Sequence, residues 1–407
     1  MREAQARRCS LANDVFDIAS DIRVEIEAYD PDVMIWSVSR WDEDNWSSGS
    51  EVVGWQELTC SVSSVSISNG LEIEQGLIRP EPATATIVFQ DADFDPFVNS
   101  SIRAGTPIRV LVRPNPDTAP LVWELLYQGK IDTSSASYNY DWVNTVTLNC
   151  VTNMRDILNY TSIDGLTTAA SVYAYEYLDA MNLVGGFDIR TSTAPALRGY
   201  LLEGISSIDP VEFGSIVNQL MDTNLGALVY RPRNDATASW YYTNVEIGDL
   251  DTRDVDVAFQ AYPSAAANRS DFSDISIGID TDRVVNTVNF TTTLGYSNSV
   301  SNSDSIALLG SIALDVETLH FNDADADAWA SEFTFALPQR RVLAIQAPAV
   351  LRSGQVNENL LREPLDVASV SVDNAMITIE DRYFISRVTH DITPDSWDTT
   401  FDLWTGR

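Results

Sequence analysis

The chain has 407 residues, 44% hydrophobic and 10% aromatic, enough for several small cores and a length that points to two to four folded domains. Its 59 carboxylates face 24 arginines and one lysine, Lys130, giving a net charge of −34. That excess repels phosphates and anionic headgroups, which argues against gripping nucleic acid or lying on a membrane surface; without an apolar run of about 18 residues, no membrane-spanning helix is expected.

An acidic surface with almost no lysine is the composition of proteins that work in concentrated salt. There the screening length shrinks to roughly 3 Å and self-repulsion largely disappears. An acidic product of an arginine-favouring genome is the other reading. Cys9, Cys60 and Cys150 are too few and too scattered for a disulfide framework or a paired-cysteine metal site.

Residues 1–19 carry Arg2, Arg7 and Arg8 with no apolar stretch behind them, so they read as an arm and not as a secretory signal. Asp21 to Ala28 alternates Ile22, Val24, Ile26 and Ala28 with polar residues, the mark of a half-buried strand. A polar excursion follows, carrying Trp36, Trp41, Trp46 and Trp55, which either meet a protein partner or fold back on the sheet. Strands are expected at Cys60–Ile67 and Leu71–Ile78. Between Ala85 and Val151 the period-two pattern is clearest, with Ile108, Val110 and Val112 on one face and Val146, Leu148 and Cys150 on another. Pro114-Asn115-Pro116-Asp117 reads as a hairpin turn into Leu121–Ile131, and the whole stretch as a barrel or sandwich.

After Val151 the pattern becomes helical. Asn153–Leu158 suggests one turn and Thr167–Asn182 a tyrosine-rich helix with Tyr173, Tyr175 and Tyr177. The clearest helix takes Asp209 as N-cap, Pro210 at its first position and Glu212 at its third, with Phe213, Ile216, Val217, Leu220 and Met221 on one face. Gly226 is expected to end it, and Ala227–Tyr230 with Ser239–Thr243 to form a hairpin. Strands return at Ile275, Ile277 and Ile279 and at Val284–Phe290, with Ser297–Ser305 as an exposed loop. Asn322–Leu337 reads as a helix stopped by Pro338, its early Asp323, Asp325 and Asp327 favouring the positive end of the dipole and Trp329, Ala330, Phe333 and Leu337 its apolar face. Arg341–Val350 and Leu365–Thr378 lead to the closing strands. No fixed-period repeat is visible.

No constellation in the chain carries chemistry. Asp91-x-Asp93-x-Asp95 starts like a calcium loop but has Pro96 where a glycine and Ile102 where a glutamate is required; Asp323, Asp325 and Asp327 fail likewise at Ala328 and Thr334. Two histidines, His320 and His390, cannot supply a three-histidine zinc site, and His390 reads as a structural hydrogen-bonder. Neither a nucleophile elbow nor a phosphate-binding loop occurs, and carboxylate pairs are too abundant to signal glycoside hydrolysis. No catalytic, cofactor-binding or metal-binding residue is assigned, no cofactor is expected, and the chain is not read as an enzyme.

Several stretches carry a family likeness. Asp91–Phe97, Ile102–Val110 and the Tyr127–Ile131 segment resemble the first barrel of the tail-tip (baseplate) hub proteins of long-tailed viruses. Val284–Phe290 resembles the strand that opens the later half of those proteins, and Tyr383–Ile392 followed by Trp397–Phe401 their closing strands. The resemblance implies a mainly β fold of the α+β class: two tail-tube-like β-barrels with helical insertions and smaller α/β subdomains. In this chain that gives an arm at 1–19, a first barrel at 20–161, a helix-plus-hairpin domain at 162–254 and a second barrel at 255–407 with a helical insertion at about 305–338.

It further implies a structural virion component at the distal end of the tail, a homotrimer whose six barrels match a sixfold tube while offering threefold symmetry to the tip. The implied neighbours are the distal tail protein ring, the C-terminal end of the tape-measure protein and a central spike or fibre, with viral DNA passing through the lumen unbound and no membrane insertion. Gly105, Pro107, Gly129 and Trp397 lie where the likeness is densest and are read as fold-making. The alternative function is a tail-associated hydrolase or carbohydrate-binding tip module, which would require a deep pocket with converging carboxylates or exposed aromatics.

Overall fold

The computed structural model describes residues 22–29, 52–58, 62–74, 77–90, 102–113, 123–138, 144–191, 200–205, 209–224, 226–232, 239–244, 253–260, 269–279, 284–334, 340–349, 356–373 and 378–405. The arm at 1–19, Trp36, Trp41 and Trp46, the acidic loop at 91–97 and the 114–117 turn lie outside them. Eight strands come first: β1 (Ile22–Tyr29), β2 (Val52–Glu57), β3 (Val62–Glu74), β4 (Leu77–Pro80), β5 (Thr84–Phe89), β6 (Pro107–Val112), β7 (Glu124–Tyr138) and β8 (Asn144–Val151). Period-two patterning places their apolar residues on one face: Ile108, Val110, Val112, Val146, Leu148 and Cys150 are all buried.

β3 is one strand of 13 residues, not the two expected, because it changes partner midway. Ser64–Ser68 pairs with β5 and Leu71–Glu74 with β4. Trp55 folds back on the sheet, with the Arg109 guanidinium 4.1 Å above its ring, and Arg109 also donates to the buried Glu25 carboxylate at 2.6 Å. Gly129 lets two backbones close: a β-carbon there would lie 2.3 Å from the Tyr127 hydroxyl and 2.6 Å from the Val151 carbonyl. Gly129→Ala is therefore expected to cost about 1–3 kcal/mol of stability in urea unfolding, as overpacking does.

A mixed region follows: α1 (Met154–Leu158), β9 (Thr161–Ser162), β10 (Ser171–Val172), α2 (Ala174–Gly185), β11 (Ile189–Thr191), β12 (Leu202–Glu203), β13 (Val211–Glu212), α3 (Phe213–Thr223), β14 (Gly226–Arg231) and β15 (Ser239–Asn244). Asp209 is not the N-cap of α3. Val211 and Glu212 are drawn into pairing with Ser162 and Thr161, and the Phe213 amide donates to the Tyr160 carbonyl at 2.9 Å, so the helix begins later, after Glu212. The buried face is the expected one: Phe213, Ile216, Val217, Leu220 and Met221. Gly226 opens β14 instead of ending the helix, and β14 and β15 form the expected hairpin. α2 starts at Ala174, seven residues after Thr167, because Ser171 and Val172 pair with Glu203 and Leu202; Glu176 then accepts the Tyr173 amide at 2.8 Å.

The last third contains β16 (Val257–Gln260), β17 (Arg269–Ser270), β18 (Asp274–Ile279), β19 (Thr287–Thr292), β20 (Ser297–Ser301), α4 (Ser303–Leu309), β21 (Ala313–Thr318), α5 (Asp323–Phe333), β22 (Arg340–Pro348), β23 (Val367–Asp373), β24 (Thr378–Ile392) and β25 (Trp397–Trp404). The expected loop at Ser297–Ser305 is instead an edge strand and the start of a helix. β20 pairs with β19 through Thr287–Thr291, and Asn302 caps α4 by accepting the Ser305 amide at 3.1 Å. β19, β20 and β21 form a small sheet whose inner face packs on Trp329, Ala330 and Phe333 of α5. That helix ends at Phe333, before Leu337.

The same topology occurs twice. In sheet order the first set runs β2-β1-β6-β7-β8-β5-β3 and the second β17-β16-β23-β24-β25-β22-β18, so strands of equal rank in the chain take equal places. The match extends to residues. β7 and β24 are each 15 residues long, β8 and β25 each 8, and both hairpins slip register at the ninth residue of the long strand, Asp132 in one and Ser386 in the other. The sets differ where β16 runs parallel to β23 while β1 runs antiparallel to β6. The two are joined by Arg387–Ile392 of β24 pairing antiparallel with Val65–Gly70 of β3, making one branched sheet. The fold is mainly β, built of two like modules with helical insertions.

Candidate functional site

One face of this sheet packs on the core and the other carries a polar surface that crosses both modules. Alternation produces it, because each outward residue sits between two buried ones: Ser66 between Val65 and Ile67, Thr86 between Ala85 and Ile87, Asn149 between Leu148 and Cys150. Cross-strand pairing lines the outward residues into rows. One runs Thr133, Asn149, Thr86, Ser66, Asp391, Asp398. The next runs Thr84, Ser68, Thr389, Thr400, Gln346.

The rows hold themselves together. The Asn149 amide donates to Thr133 Oγ1 at 3.1 Å while its oxygen accepts from Thr86 Oγ1 at 3.2 Å, and Ser66 Oγ donates to Asp391 Oδ1 at 2.7 Å across the join between modules. The first row contains no cation, and the second, carried on from Thr84 through Val151, reaches Lys130 at its end. Lys130, Arg155 and Arg387 lie along one margin and each is held by carboxylates: Lys130 by Asp156, Arg155 by Asp132 at 2.7 Å, Arg387 by Glu81 and Asp402. The Arg155 hydrogen bond keeps the Asp132 carboxyl below its usual range. The surface is thus hydroxyl- and amide-rich, acidic toward the second module, and its cations are neutralised in place.

Depressions open on the outside among the described residues. One of about 400 Å³ is lined by Glu81, Thr86, Asp132, Asn149 and Arg155, the same margin, and its charged groups already satisfy one another. Another, about 790 Å³ and open, lies over Asn289, Thr291, Asp315 and Glu317 of the small sheet.

The residues singled out from sequence do not converge. Asp91, Asp93 and Asp95 lie outside the described residues. Asp323 and Asp325 sit in the first turn of α5, where Asn322 accepts the Asp325 amide at 2.8 Å, and Asp327 accepts from the Tyr296 hydroxyl at 3.0 Å. Among the described residues no three His, Cys, Asp or Glu side chains meet in a metal-holding group. His390 is buried, its Nδ1 3.0 Å from Thr399 Oγ1 and accepting from Trp397 Nε1 at 3.3 Å. Cys150 is buried in the core and its thiol is pushed up to about 12 by desolvation. Gly105 takes a left-handed turn, φ 90°, ahead of Pro107, the first residue of β6, and Trp397 is buried. The polar rows themselves were not singled out from sequence, although the signal, Ser, Thr or Asn at every second position of a strand, was present.

No family model and no curated protein matches the sequence. Solved structures do match in fold. A tail protein from Neisseria meningitidis MC58 aligns with a TM-score of 0.55 at 12% identity over 95% of this chain and 98% of that one. The 43 kDa tail protein of prophage MuSo2 from Shewanella oneidensis aligns with a TM-score of 0.55 at 10% identity over 94% and 98%. At these identities the likeness is one of architecture across nearly the full length of both chains.

Proposed function

We propose that this chain is a structural component of a viral tail, the hub that joins a sixfold tail tube to a threefold tip. The observation that carries the reading is the doubled topology: two modules with the same strand order and the same hairpin register in one polypeptide. Three such chains present six similar modules to a sixfold ring while keeping threefold symmetry elsewhere, and a cyclic arrangement closes the assembly without open-ended growth. The full-length fold likeness to two tail proteins supports the same placement.

The polar face is assigned to the lumen. Its small hydroxyl and amide side chains are uncharged in the first module and acidic in the second, so a phosphate backbone finds no free cation on the rows and slides past. In this reading the first module spans about 20–161, the mixed domain 162–254 and the second module 255–407, with the distal tail ring, the tape-measure C-terminus and a central spike or fibre as neighbours. The chain contributes no catalysis. Asp391 and Asp398 face each other across β24 and β25, a like-charge pair that concentrated salt relieves, which fits a halophilic host. Light scattering and electron microscopy of the purified chain in molar salt test the proposal: a trimeric ring with six similar outer densities is expected, and a monomer at every salt concentration would sink it.

A further inference from the structure

We infer that β18 is an assembly strand: in the ring it pairs edge to edge with the Thr133–Tyr138 segment of β7 in a neighbouring copy of this chain. The inference deepens the hub reading and rests on it for the existence of a ring.

The argument is one of equivalence between the modules. Within a chain they are joined by one contact, in which the part of β24 beyond its bulge, Arg387–Ile392, takes β3 along its open side. β7 is the counterpart of β24, with the same length and the same bulge position, so Thr133–Tyr138 is the counterpart of Arg387–Ile392. Yet among the described residues that segment pairs only with β8. β18 is the counterpart of β3, and among the described residues it pairs only with β22. Among the described residues each module therefore lacks one half of the join that the other half of the molecule displays. A second copy of the chain supplies both missing halves, because the open side of β7 in one copy meets β18 of the next. The join is head to tail, and with the threefold rotation of the hub reading its repetition closes a ring.

The register follows from the pairings. Ser66 lies opposite Thr86, which lies opposite Asn149; Ser276 lies opposite Ala344, which lies opposite Asp402. Asn149 and Asp402 hold the same place, facing the first residue past the bulge in their hairpins, so Ser276 stands for Ser66. Ser66 faces Asp391, whose counterpart is Ser137. In the ring Ser276 thus faces Ser137 of the neighbouring copy, and the polar rows continue from chain to chain. The edge has the surface such a contact requires. Ile275 and Ile277 are half-buried and Ile279 is 65% exposed, an apolar row on a strand paired on one side with β22, and the Ile275 amide donates to the Asp274 carboxylate at 2.9 Å.

The test is disulfide trapping in the full chain. Residues directly opposite in antiparallel strands bring their Cα atoms to about 4.5–5.5 Å, within disulfide reach. Mild oxidation of S137C/S276C in molar salt should give covalent multimers on a non-reducing gel, and neither single variant should. Ile279→Lys places a charge on a side chain exposed in the single chain, so it should leave the melting of the isolated chain unchanged and raise the concentration needed for assembly about tenfold or more. An assembled ring that leaves the paired thiols free, or that ignores Ile279→Lys, overturns this pairing and leaves the hub reading standing. A wild-type chain that never assembles overturns both.

Discussion

Replacing Arg231 by alanine is expected to remove about 3–5 kcal/mol of unfolding free energy, a loss that leaves a domain of ordinary stability close to its threshold. Arg231 closes β14 and reaches out of the mixed domain to the second module, where its Nε lies 3.1 Å from Glu363 and its terminal nitrogen bonds Asp366. All three side chains are mostly buried, with exposures of 16%, 7% and 12%. Burial pushes the Asp366 carboxyl above its ordinary range, while Arg231 pulls it back. Without the guanidinium, two carboxylates remain in a dry site with too few donors, the situation in which a broken buried pair costs most.

The loop they sit on needs that anchor. Leu365 between them is buried with φ 72°, a conformation that costs a branched side chain energy, and the loop is also tied by the Leu365 amide to Ile385, the Ile385 amide to Asp366 and the Glu363 amide to the Asp366 carboxylate. Urea unfolding of Arg231→Ala measures the loss. Arg231→Ala combined with E363Q and D366N should recover a good part of it, because the stranded charges are gone. A loss under about 1 kcal/mol would show that the network is dispensable.

How much of this was legible beforehand depended on what burial does to a pattern. The strand faces at Ile108, Val110 and Val112 and at Val146, Leu148 and Cys150, and the α3 face from Phe213 to Met221, were readable because half-burial writes a period of two or 3.6 into the side chains. β20 was not readable: its residues Ser297–Ser301 are mostly exposed, so an edge strand there carries no hydrophobic signature. Asp209 misled because local capping chemistry lost to a tertiary pairing of Val211–Glu212 with Thr161–Ser162.

The repeat was hidden for a deeper reason. Counterparts such as Asp132 and Ser386 or Asn144 and Trp397 share no side-chain chemistry. What the modules share is backbone pairing, which tolerates most side chains, so the duplication appears only once register is known. The polar face is intermediate. Its Ser, Thr and Asn residues were in view as the spacers between core positions, but their convergence into rows across both modules required the β3–β24 join.

Acidification is expected to weaken the junction between the α5 unit and the mixed domain through His320. The imidazole is fully buried, neither nitrogen hydrogen-bonded among the described residues, packed edge-on against Tyr200 at 5.0 Å and tilted against Trp329 at 5.6 Å. Its own backbone bridges to Leu202, the Leu319 amide beside it donates to the Thr223 hydroxyl at 2.9 Å, and Trp329 donates to the Asp222 carbonyl at 2.8 Å, so the ring sits at the centre of the junction. Desolvation lowers its pKa to about 4 from 6.5. A histidine depressed in the folded state is neutral there and charged when unfolded, so stability is full above pH 6.5 and lost as the pH falls toward 4. The loss comes to about 2 kcal/mol by pH 5 and about 3 kcal/mol by pH 4. Glu332, which burial pushes upward and the Tyr200 hydrogen bond pulls back, works in the opposite sense, gaining a proton more readily in the folded state as the pH drops. His320→Phe separates the two, since it keeps an aromatic ring at that position and removes only the titrating group. Its stability relative to the wild type should rise by about those amounts between pH 7 and pH 4, read by chemical denaturation at fixed salt with tryptophan fluorescence reporting the junction. A constant difference across that range would mean that His320 titrates at the same pH folded and unfolded, and that the junction admits the charged ring.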